Sequence, residues 1–104
     1  MRIGTVTLSS PLILAPMAGI THMPFRVYAR EAGCGLVCSE MISSNGLYYG
    51  SEESWNMLAM SEAERPLAVQ LFGQHPEIMA WAAEQVQARG ADIIDINCGC
   101  AVKK

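Results

Sequence analysis

The chain has 104 residues, 51% of them hydrophobic, and a formal net charge of −3. That size and apolar content suit one globular unit with a modest core and exclude a disordered chain. The charge is uneven, with three Arg against two Glu in residues 1–50 and four basic against eight acidic residues in 51–104, and no basic stripe offers a main surface for a phosphate backbone.

From the start, Met1 to Thr5 leads straight into a strand-like run, with no apolar export segment and no small-residue cleavage site. That reads as a cytosolic chain. Apolar stretches such as Pro11 to Ile20 are broken by Pro and Gly and fall short of the roughly 20 residues that span a bilayer, so no membrane partner is expected. Leu12-Ile13-Leu14-Ala15 is short and aliphatic, as buried parallel strands are. Thr21 is placed to cap a helix whose Phe25, Tyr28, Ala29 and Ala32 fall at i, i+3, i+4 and i+7, with Gly33 as the left-handed stop. Gly35 to Ser39 reads as a second strand. Ser43 to Met60 is less periodic and suggests short helices near Ser44 to Tyr49 and Glu52 to Met60. Leu67 to Phe72 is the third strand. Pro76 opens a helix that carries Ile78, Met79, Ala82, Ala83 and Val86 on one face and ends at Gly90, before a fourth strand over Ala91 to Asn97.

Strands alternating with helices imply a parallel sheet with crossover connections. A doubly wound sheet would place a Gly-rich phosphate loop after the first strand, but Ala15-Pro16-Met17-Ala18-Gly19 has no G-x-G-x-x-G. A (β/α)8 barrel instead collects functional residues at the C-terminal ends of its strands. Here the strands end in Pro16-Met17, Ser39-Glu40, Gln70 and Asn97 to Cys100. The expected fold is therefore α/β, the N-terminal half of a (β/α)8 TIM barrel, since a whole barrel needs about 250 residues. Half a barrel leaves open sheet edges, so the chain on its own is expected to self-associate.

The cysteine spacings Cys34-x3-Cys38 and Cys98-x-Cys100 do not suit zinc, and no metal is expected. Cys34, Cys38 and Cys98 read as small buried hydrophobes. His22 and His75 have no nucleophile or metal-spaced partner; His75 precedes Pro76, where it would cap the helix, and His22 falls in the loop after Gly19. Arg26, Lys103 and Lys104 could meet phosphates, although single surface charges usually meet only water. Trp55, Trp81 and the methionines read as core and helix-face packing.

Five motifs in order carry a family resemblance: Ala15-Pro16-Met17-Ala18-Gly19-Ile20-Thr21, Pro24-Phe25-Arg26, Ser39-Glu40-Met41, Val69-Gln70-Leu71-Phe72-Gly73 and Asp95-Ile96-Asn97-x-Gly99-Cys100. Together they resemble the tRNA-dihydrouridine synthases, and within them most resemble the bacterial B-type members. The resemblance implies a flavin-binding barrel followed by a helical RNA-binding domain, reducing the C5=C6 bond of uridine in tRNA with FMN as cofactor and NADPH as reductant. It implies that Cys100 is the proton donor, that Pro16, Met17 and Ala18 line the flavin through main chain, and that Gln70 is a flavin ligand. Asn97 is expected to hold flavin or uracil, or else to cap a turn.

Three departures stand out. Ala101 follows Cys100 where the family usually has Pro, and loss of the fixed φ should loosen that loop. Cys98 stands where a larger apolar residue is common. Strands five to eight, the family's flavin-binding lysine, its FMN phosphate loops and its helical domain are missing, so the 104 residues are expected to be a partial domain, inactive alone. Two alternatives stand beside this reading: a related flavin barrel of the dihydroorotate dehydrogenase kind, with its cysteine acting as a base, and a non-catalytic half barrel that pairs with itself.

Overall fold

The computed structural model describes residues 1–98. The chain opens with a hairpin in which β1 (Arg2–Ile3) and β2 (Val6–Thr7) pair antiparallel. Gly4 makes the turn at φ 58°, a conformation open to glycine at little cost. The strand-like run at the start of the sequence is thus two strands folded on each other.

β3 (Ile13–Leu14), β4 (Leu36–Ser43), β5 (Leu67–Phe72) and β6 (Ile93–Ile96) form one parallel sheet with neighbours in chain order. α1 (Met23–Glu31) crosses from β3 to β4 and α4 (Pro76–Ala88) from β5 to β6. Between β4 and β5 the chain makes two short helices, α2 (Ser44–Tyr48) and α3 (Glu52–Asn56), and a single 3-10 turn over Glu62–Glu64. This is the sequential strand order of a (β/α)8 barrel. Gly33 and Gly90 follow α1 and α4 at positive φ and stop them as expected.

Several boundaries differ from the sequence expectation. β4 continues past Ser39 to Ser43, β3 keeps only Ile13 and Leu14, and α3 ends at Asn56 rather than Met60. The cap of α1 is His22, whose Nδ1 accepts the Phe25 N–H at 3.3 Å. Thr21 does not cap; it is turned fully inward to a loop described below. His75 occupies the cap position of α4, but its side chain makes no capping bond.

The two faces of the sheet bury different sets. Val37, Ile42, Leu67, Val69 and Leu71 pack under the helices against Ala29, Leu47, Ala82 and Val86. Each buried Val, Leu or Ile side chain among them contributes about 1.5–3 kcal/mol on leaving water. Trp55 and Trp81 pack half-buried against this core, ring to ring at 6.3 Å, as expected. The other face, which lines the inside of a barrel, carries Leu36, Cys38 and Ala68 at the N-terminal ends of the strands. Leu8, Val6 and Ile93 join them, so the opening hairpin plugs that end. Leu12, Ile13 and Ile96 are exposed on or beside the two edge strands.

Candidate functional site

Toward the C-terminal ends of the strands the inner face turns polar. The change is prepared by a bulge in β4. Cys38 pairs with Ala68 and Met41 with Gln70, so β4 spends one more residue than β5 over that step. Bulges bend a strand and re-aim its side chains. Here Ser39, fully buried, substitutes its side chain for the interrupted ladder: its hydroxyl accepts the Gln70 N–H at 3.0 Å and donates to the Glu40 carbonyl at 2.7 Å. The next residue, Glu40, reaches the loop after β3, where its Oε1 accepts the Gly19 N–H.

Gln70 is the centre of the polar end. Its side chain is 7% exposed, its Nε2 donates to Asp95 Oδ2 at 2.6 Å and its Oε1 accepts from Asn97 Nδ2 at 3.4 Å. Asn97 Nδ2 also reaches Met41 Sδ at 3.1 Å. A carboxylate on the nitrogen side and an amide N–H on the oxygen side fix which way the Gln70 amide faces. An amide carries two N–H groups and two lone pairs, and among the described residues one of each is taken on Gln70. Asp95 is exposed and Asn97 half-buried.

The loop after β3 supplies the second element. Pro16 is half-buried, and Met17 and Ala18 are exposed. Thr21 closes the loop on itself: its hydroxyl accepts the Met17 N–H at 3.0 Å and donates to the Met17 carbonyl at 3.1 Å. The Ile20 and Thr21 amides add bonds to the same carbonyl.

Beneath the loop lies a charged cluster that local sequence reasoning missed. Arg26 is no surface cation: it is buried, with Nε on Glu64 Oε1 at 2.6 Å, Nη1 on the Thr21 carbonyl at 2.9 Å and Nη2 on the Ala59 carbonyl at 3.0 Å. Glu64 Oε2 accepts from the Ser61 amide at 3.0 Å and hydroxyl at 3.1 Å. The pattern Ser61-x-x-Glu64 was legible as a capping box, but its bond to Arg26 across the fold was not.

A groove of about 550 Å³ opens beside this cluster and reaches Glu40, with Glu52, Glu53 and Asn56 along its rim. Its acidic rim does not suit a phosphate backbone. Among the described residues no three His, Cys, Asp or Glu side chains group as metal ligands, and no helix is long and apolar enough to cross a membrane.

The cysteines divide. Cys38 is buried at the apolar end, where burial, and then the charge of Asp95, push its thiol up to about 11, so it stays protonated and inert. Cys34 is half-buried. Cys98 departs from the expectation of a buried hydrophobe: it is exposed after β6, where the chain has left the sheet, with its Sγ 3.7 Å from the Ile96 carbonyl. Cys100 lies outside the described residues.

A parallel sheet with its strands in sequential order and crossover helices defines an α/β unit of the barrel kind, whose functional residues gather at the C-terminal ends of the strands. The model of the Dihydrouridine synthase (Dus) family matches residues 13–104, and the chain belongs to that family. Its fold is the N-terminal half of that family's (β/α)8 barrel. It is similar to tRNA-dihydrouridine synthase B of Pseudomonas aeruginosa, at 45% identity over 104 residues, which is 100% of this chain and 31% of that protein. A probable tRNA-dihydrouridine synthase of Rhizobium leguminosarum bv. phaseoli is 48% identical over 93 residues, 89% of this chain and 29% of its own length. Another from Rickettsia conorii is 42% identical over 105 residues, 100% of this chain and 32% of its own length. The chain spans about a third of the length of the curated relatives it matches.

Proposed function

We propose that this segment is the flavin-side half of a cytosolic tRNA-dihydrouridine synthase, a partial FMN-binding barrel domain that works joined to the second half of the barrel and a helical tRNA-binding domain. The observation that carries the reading is the Gln70 amide, pinned by Asp95 and Asn97 at the C-terminal end of the sheet with, among the described residues, a donor and an acceptor to spare. That pair suits the pyrimidine edge of a flavin, which itself mixes donors and acceptors. Pro16, Met17 and Ala18 offer main-chain groups on the neighbouring loop. When bound, FMN would supply the hydride that reduces C6 of uridine, with NADPH as the source of reducing equivalents.

The protein's own tasks are to hold the flavin, place the uracil and deliver a proton. Gln70 and the Pro16–Ala18 main chain hold the flavin, and Asn97 serves the flavin or the uracil. Cys100 gives its Sγ proton to C5, the carbon next to the one that takes the hydride. An unperturbed thiol has a pKa of about 8.5, so a thiol in ordinary surroundings is mostly protonated at neutral pH, as such an acid must be. The exposed edge residues Leu12, Ile13 and Ile96 favour cover by further strands; with none, they would drive self-association.

The test is a graft of this segment onto the remaining length of the Pseudomonas aeruginosa relative. It should bind FMN saturably and form dihydrouridine in tRNA with NADPH. Cys100→Ala should leave FMN binding unchanged and cut uridine reduction by about 10²- to 10⁴-fold, while Cys98→Ala costs little. A graft that melts cooperatively but neither binds FMN nor reduces uridine ends the reading. The reverse pattern of the two cysteine variants moves the acid to Cys98.

A further inference from the structure

The loop Pro16–Gly19 would be a poor cofactor ligand if it moved freely, because ordering it on binding costs affinity. It is instead held at two points from opposite sides. Thr21, 0% exposed, bonds both main-chain groups of Met17 through one hydroxyl. Glu40, in the bulged stretch of β4, takes the amide of Gly19, which sits at φ 74°. The Thr21 main chain is itself fixed, since its carbonyl accepts from the buried Arg26, and Arg26 is locked by Glu64.

We propose that Thr21 and Glu40 are positioning residues that clamp the loop Pro16–Gly19 in a flavin-ready conformation before the flavin arrives. Both act through the main chain of Met17 and Gly19. The register shift of β4 falls between Cys38 and Met41, at the two residues Ser39 and Glu40. The clamp as such rests on the geometry alone, and its link to flavin rests on the function proposed above.

Thr21→Val keeps the shape of the side chain and the main-chain carbonyl bonded by Arg26, and removes only the hydroxyl. Thr21→Ser keeps the hydroxyl. Glu40→Ala removes the second point at a half-buried site, where loss of the fold is not expected. Amide hydrogen exchange in the flavin-free graft should show Met17 and Gly19 protected, Met17 deprotected by Thr21→Val, Gly19 deprotected by Glu40→Ala, and Met17 protected again in Thr21→Ser. FMN titration should give roughly tenfold weaker binding for Thr21→Val and Glu40→Ala, with unchanged melting of the flavin-free protein, and recovery in Thr21→Ser. Unchanged exchange and unchanged FMN binding in both clamp variants would overturn the proposal. So would a Thr21→Ser as weak as Thr21→Val, or FMN losses that merely follow lowered melting temperatures. If the unsubstituted graft binds no FMN, the functional reading falls and the flavin-ready role falls with it, whereas the exchange pattern still decides whether the loop is clamped.

Discussion

Two polar clusters sit within one small fold, and they differ in how completely their hydrogen bonds are closed. Arg26 and Glu64 are 3% and 0% exposed, and both carboxylate oxygens of Glu64 and the fork of Arg26 are occupied inside the protein. Around Gln70 the bonds are enough to orient the amide but not to exhaust it, and Asp95 at its back is open to water. A closed cluster has nothing left to offer a ligand and acts on structure. An open, oriented one is what a binding site needs.

The sharpest way to break this distinction is to remove one member of the closed cluster. Glu64→Ala leaves a buried guanidinium without its counter-ion, so it should cost about 3–5 kcal/mol of stability, read from denaturant melts of the graft. Replacing both partners together, Arg26→Met with Glu64→Leu, should recover most of that loss, because the penalty comes from the stranded charge. A loss below about 1 kcal/mol for Glu64→Ala would place the pair with ordinary surface bridges and dissolve the contrast.

Gln70→Ala should do the opposite. Asp95 turns to water and the fold loses no more than about 1 kcal/mol, while FMN affinity falls by about 1–3 kcal/mol, the worth of a hydrogen-bonding group in a site. Melting and FMN titration on the same graft variant separate the two. A large stability loss with intact FMN binding would make Gln70 a second structural cluster.

The sequence revealed the outline of this arrangement better than its joints. The strand Leu67-Ala68-Val69-Gln70-Leu71 is an openly apolar run, and the polar Gln70 on it is conspicuous. The helix ends at Gly33 and Gly90 are equally plain. The bulge is invisible in Ser39-Glu40-Met41, because it exists only in the register of β4 against β5. Arg26 looked like a surface cation because its partner Glu64 is 38 residues away in the chain. Thr21 and His22 both have side-chain acceptors suited to a helix cap, and only the return of the loop to Met17 decides that Thr21 turns inward and His22 caps. Local pattern gives faces and stops; pairings across the fold need the fold.

A third polar contact lies between the two extremes and tests whether closure is a matter of degree. Asp92 bonds Arg65 at 2.7 Å and 3.2 Å and accepts the Leu67 N–H at 2.9 Å, tying the start of β5 to the turn before β6. Its partner Arg65 is 41% exposed, so water and salt screen much of the attraction. The hydrogen bond from Arg65 holds the Asp92 carboxyl below the usual carboxylate range, against a smaller opposing effect of burial, and the Leu67 N–H adds to the lowering. A folded-state carboxyl titrating below its unfolded value contributes stability that is present above about pH 3.9 and is lost as pH falls through the lower folded value. Asp92→Asn keeps an acceptor for the Leu67 N–H and removes only the charge. It should therefore cost about 0.5–1 kcal/mol at pH 7, and the two stability curves should converge as the pH drops below about 4, where the parent loses what the variant never had. Urea melts from pH 7 down to pH 3 measure the convergence. Curves that stay parallel would mean that the charge contributes nothing there, and that only full closure, as at Arg26 and Glu64, turns an ion pair in this fold into a structural element.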